Sequence, residues 1–133
     1  MWKAIPAGLA LLVGVALFGA PAASLDCTAR SLSQWQLAIC QDAQLARSDE
    51  QTQRRLTGLS RRLGYGQYLG LRHWHYGWIE HRDRCQADRG CLAASYRTQA
   101  RFLDRLQQCL DTSPQRRACL RNTLSVEREA VRR

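Results

Sequence analysis

From Ser33 onward, apolar residues recur three and four positions apart, as on one helix face, not in the alternation of a strand. Ser33 followed by Gln36 is a capping-box pattern and opens a short helix through Leu37, Ile39 and Cys40. Asp42 can cap a longer helix reaching about Leu63, with Leu45, Thr52, Leu56, Leu59 and Leu63 on one face. Arg47, Arg54 and Arg61 fall near the opposite side, so the dense pairs Arg54–Arg55 and Arg61–Arg62 read as a solvated outer face. Gly64, Gly66 and Gly70 then interrupt the periodicity, predicting a flexible turn that presents Tyr65 and Tyr68. A third helix is expected from near Leu71 to Arg84, with Leu71, Trp74 and Trp78 as its apolar stripe. Gly90 closes a turn between Cys85 and Cys91, and a fourth helix follows with Leu92, Tyr96, Leu103 and Leu106 facing the core. Ser113-Pro114 marks the start of a last helix ending near Glu129, whose apolar positions are Cys119, Leu120, Leu124 and Val131. That helix is short of apolar residues, so a disulfide is expected to fix its position. The expected fold is all-α: a small disulfide-stapled bundle of about five short helices.

The N-terminus follows a different pattern. Lys3 precedes the apolar run Leu9–Phe18 and the small-residue sequence Ala20-Pro21-Ala22, which together describe a secretory signal peptide at 1–22. The chain has 133 residues and a formal net charge of +9. Cleavage after Ala22 removes Lys3 and no acid, leaving 111 residues at +8, enough for one modest core. The expectation is therefore a periplasmic or secreted protein with a helical domain at 23–108 and a C-terminal helical extension at 109–133. Lys3 is the chain's one lysine, so the other basic residues are all arginine.

All six cysteines (Cys27, Cys40, Cys85, Cys91, Cys109 and Cys119) survive cleavage, and an oxidising compartment favours their pairing. Fifteen connectivities are open. Proximity favours 27–40, 85–91 and 109–119, since each pair brackets a turn or a helix start. The spacings of a structural zinc site are missing, and without a C-x-x-C thiol-exchange chemistry lacks its motif. His73 and His75 point about 160° apart on a helix, so they do not share one metal. Neither G-x-S-x-G nor a P-loop occurs. These readings predict a non-enzymatic protein with no cofactor and no metal.

Several residues in order carry a resemblance. Leu25-Asp26-Cys27, then Ser33-x-x-Gln36-x-Ala38-Ile39-Cys40 and Leu45-Ala46-x-x-Asp49, lead to Trp78-x-x-x-Arg82-Asp83-x-Cys85 and Cys91-Leu92-x-x-x-Tyr96. Over roughly 25–106 this resembles the N-terminal domain of the LprI-type lysozyme-inhibitor family. The resemblance implies a helical, disulfide-bonded envelope or secreted domain, pairing of Cys27 with Cys40 and Cys85 with Cys91, and lysozyme inhibition as known for some members. The chain departs from the pattern at Gln36, His75 and Gln99, and the Cys109–Cys119 segment lies outside it. Asp49, Trp78, Arg82, Asp83 and Tyr96 are expected to be architectural, with Asp49 and Arg82 forming a mostly buried, bidentate ion pair between the second and third helices.

The functional expectation is an exported binding protein whose partner is a protein, a lysozyme or another cell-wall hydrolase. Trp35, Tyr65, Tyr68 and Trp74 are the candidate contact residues. The alternative is a basic envelope-associated domain that binds anionic lipids, glycans or an acidic exported protein. Charge sets the two against each other, because a +8 domain repels a basic lysozyme at long range and attracts an anionic surface. Export removes nucleic acid as a usual target.

Overall fold

The computed structural model describes residues 25–112 and 114–131, with side chains to residue 125. The leader segment 1–22, Ser113 and the Val131 side chain lie outside that description. Five helices follow in order: α1 (Gln34–Gln41), α2 (Ala43–Ser60), α3 (Tyr65–Asp83), α4 (Arg89–Thr112) and α5 (Arg116–Val131). The described residues contain no strand and no helix long and apolar enough to cross a membrane.

Ser33 caps α1 with its hydroxyl while the Gln36 side chain accepts from the Ser33 N–H at 2.7 Å, closing the capping box. Asp42 ends one helix and starts the next. Its extended backbone donates to the Ile39 carbonyl, and its Oδ1 accepts from the Gln44 and Leu45 amides at 2.9 and 3.1 Å. The buried face of α2 is Leu45, Asp49, Thr52, Leu56 and Leu59.

The glycine-rich stretch corrects the expected turn. Helix α3 begins at Tyr65, not Leu71, because Gly64 serves as its N-cap and Gln67 accepts from the Gly64 N–H at 3.0 Å. Tyr65 and Tyr68 therefore stand on the first turn of a helix. Gly90 likewise lies inside α4, and the backbone in the left-handed region belongs to Gln86, at φ 52°. Helix α5 starts two residues beyond Pro114, with Cys119 N–H donating to the Gln115 carbonyl.

Pairings across helices give their directions. Asp49–Tyr96, Arg55–Asp104 and Arg62–Asp111 advance together, so α2 and α4 run in the same sense. Trp78–Ser95 and Trp74–Phe102 run oppositely, so α3 is antiparallel to α4. Between these helices lies the core: Leu92, Phe102, Leu103 and Leu106 of α4 are fully buried, with Ile39, Leu71 and Leu120 beside them. Arg54, Arg61 and Arg62 are exposed, as expected of a solvated face, and Arg55 is half-buried. On that surface Arg55 and Arg62 reach Asp104 and Asp111 at 2.6 and 2.5 Å, two rungs seven residues apart that run from α2 and the residues just past its end to α4.

Three disulfides join Cys27–Cys40, Cys85–Cys91 and Cys109–Cys119, with Cα separations of 5.5 to 5.6 Å. No free cysteine occurs among the described residues. The third bond fastens α5 to the end of α4, and Leu120 and Leu124 complete its attachment by burial. The 108/109 junction falls within α4, which continues unbroken to Thr112.

Candidate partner-binding face

Four of the residues that carry the resemblance, Asp49, Trp78, Arg82 and Tyr96, meet inside the molecule. Tyr96 donates its hydroxyl hydrogen to Asp49 Oδ1 at 2.7 Å, and the Leu25 N–H approaches the other carboxylate oxygen at 3.3 Å. Arg82 Nη1 lies 3.7 Å from Asp49 Oδ1, with both side chains at most 7% exposed. The expected bidentate fork is absent between them. Arg82 instead directs Nε and Nη2 to the adjacent Asp83 at 3.0 and 2.9 Å. The planar guanidinium also lies 4.0 Å from the Trp35 ring centre and 5.0 Å from that of Trp78. Burial, then the Asp49 charge, raises the Tyr96 phenol, so it remains a hydrogen-bond donor at ordinary pH.

This cluster is closed. Trp78 Nε1 donates to the Ser95 carbonyl at 3.1 Å, and its ring meets Tyr96 edge-on. Trp74, expected as a candidate contact, is corrected to a core residue: it is 4% exposed and stacks on Phe102 at a 3.7 Å centroid distance. Trp35 is half-buried and packs against the core, with Arg82 over its ring. His75 stacks near Trp78, and its Nδ1 is buried without a hydrogen-bond partner. Burial, reinforced by Arg82 and opposed by Asp49, lowers His75 to about 4.

The outward face of α3 is built differently. Tyr65, Leu69, Arg72 and Tyr76 follow at intervals of four, three and four, which places them within one narrow arc of the helix. Tyr65 is 78% exposed, Tyr76 55% and Leu69 43%. Arg72 stands between two rings, 5.8 Å from the centre of Tyr68 and 5.5 Å from that of Tyr76, and donates to the Tyr76 hydroxyl at 2.9 Å. That bond, with the neighbouring phenols, raises the Arg72 guanidinium further above its ordinary value. The result is a preorganised cation flanked by aromatics and open to solvent.

Of the four expected contact residues, the structure brings Tyr65 and Tyr68 to this face and leaves Trp35 and Trp74 away from it. Leu69, Arg72 and Tyr76 complete the face. Their signal is the i, i+4, i+7, i+11 spacing from Tyr65, which becomes visible once the helix is started at Gly64. No group of three or more His, Cys, Asp or Glu side chains that could hold a metal ion occurs among the described residues.

Comparison with protein-family models, with curated proteins and with solved structures finds no match to this chain.

Proposed function

We propose that this chain is an exported, non-enzymatic binding protein of the LprI type, acting in the periplasm or outside the cell. Its working surface is the α3 face of Tyr65, Leu69, Arg72 and Tyr76, and its partner is a lysozyme or another cell-wall hydrolase. One observation carries the reading: Arg72 is fixed between two tyrosine rings on an exposed helix face. Tyrosine and arginine are the residue types that concentrate binding energy at protein interfaces, and holding Arg72 in place beforehand lowers the entropy lost on docking.

The local chemistry also fits a glycosidase cleft, which presents two carboxylates to an incoming cation. A fixed guanidinium can meet one of them through two parallel hydrogen bonds. The overall +8 charge opposes approach to a basic hydrolase, so added salt should speed association in the screened range. The same charge would make encounter with an acidic hydrolase faster at low salt.

The test is lysis of purified cell walls by lysozyme, with and without the disulfide-intact protein. Inhibition at micromolar excess is expected. Arg72→Ala and Tyr76→Ala should each weaken it by about tenfold or more while leaving the melting temperature near that of the parent. No inhibition by the parent overturns the lysozyme reading. Inhibition unchanged in both variants overturns the assignment of the face.

A further inference from the structure

We infer that the cleft between α2 and α4 is a binding site for a single anionic group, a carboxylate or a phosphate monoester, borne on a sugar-sized polar ring. It shares no residue with the α3 face, and its function does not depend on that face. The cleft encloses about 260 Å³, just below the usual range for drug-sized ligand pockets, so it suits a small group. Three guanidinium groups line it, those of Arg55, Arg89 and Arg97, against one carboxylate, that of Asp42.

The state of each charge points to an anion. Asp42 uses Oδ1 to cap α2, and its Oδ2 lies 3.9 Å from Arg89 Nη1, a long contact with a side chain that is 56% exposed. Arg55 is held by Asp104 at 2.6 Å and reaches toward the Ala100 carbonyl at 3.5 Å, which steadies its guanidinium beside the cleft. Arg97 is exposed and makes no ion pair with any described residue. With Arg55 paired to Asp104 and Arg89 loosely to Asp42, Arg97 supplies the charge that no acid offsets, and the low-dielectric walls of the cleft strengthen its attraction for an anion.

Polar amides and an apolar floor fill out the recognition. Gln44 and Gln51 offer donors and acceptors at the rim, where hydroxyl groups of a ring would stand. Tyr96 contributes to the base of the cleft while its hydroxyl remains committed to Asp49. A carboxylated sugar and a phosphorylated headgroup share this chemistry, and the experiment separates them.

Glucuronate, inorganic phosphate and vesicles containing phosphatidate, a phosphate monoester, are titrated separately into the folded parent, Arg97→Gln and Arg47→Gln, at low and moderate salt. Arg47 is exposed and does not line the cleft, so its variant removes the same net charge elsewhere. Saturable binding of at least one probe is expected, weakened about fivefold or more by Arg97→Gln and little by Arg47→Gln. Tighter binding of glucuronate than of phosphate or vesicles assigns a carboxylated glycan; the reverse order assigns a phosphate-bearing source. Equal weakening by the two variants, or no saturable binding of any probe, overturns the site.

Discussion

Among single residues, Asp49 ties three separate parts of the chain together, receiving the Tyr96 hydroxyl hydrogen, the Leu25 N–H and the charge of Arg82 inside the fold. Asp49→Ala leaves the Tyr96 hydroxyl without its acceptor and one buried cation with Asp83 alone. The expected loss is about 3 kcal/mol, read as a melting midpoint lower by roughly 10 °C. Asp49→Asn keeps an acceptor for Tyr96 and should fall by less. A change within a degree or two for Asp49→Ala would show that Asp49 does not anchor the helices. His75 adds a pH dependence. Its folded value, lowered to about 4, lies below the ordinary 6.5, so between those limits the unfolded chain binds more protons. Stability is therefore full above pH 6.5 and declines as pH falls toward 4, by on the order of 2 kcal/mol after allowance for partial exposure. Melting curves of His75→Gln should show a shallower slope across that window. A slope identical to the parent's would reject His75 as its source.

Helix α2 has an exposed glycine, Gly58, where an added Cβ would meet nothing within 4 Å. Gly58→Ala should stabilise the protein by about 0.5–1 kcal/mol, because alanine has less backbone freedom to lose on folding. Chemical denaturation should show a higher midpoint with an unchanged slope. At this scale the sequence was most readable where periodicity and caps agree. Ser33, Asp42 and the leucines of α2 and α4 specify their helices by local chemistry. The start of α3 was obscured because three glycines weaken helix propensity, while Gln67 and neighbouring packing supply what they lack. Missing that start hid Leu69, Arg72 and Tyr76 as partners of Tyr65. The burial of Trp74 was hidden for another reason: stacking on Phe102, 28 positions away, is a tertiary event with no local signature. The ion pairs of Arg55 and Arg62 had no local signal, because their acids lie 49 residues downstream.

For the molecule as a whole, the Cys109–Cys119 bond governs α5, which otherwise adds only Leu120 and Leu124 to the buried core among its described side chains. Replacing both cysteines with serine should cost about 2–3 kcal/mol, with strain and denatured-state structure reducing the loss. Amide exchange should accelerate in α5 before it does in α4. Uniform acceleration throughout the chain would show that α5 unfolds with the rest and not separately. None of the three sulfur links joins α2 to α4. If these helices slid by seven residues, Arg55 would meet Asp111 and keep one rung of the charged ladder. The same slip would carry Asp49 from Tyr96 to Leu103, burying a carboxylate against hydrocarbon. The acid at position 49 thus acts as a vernier: it rejects an alignment that the surface charges alone would tolerate.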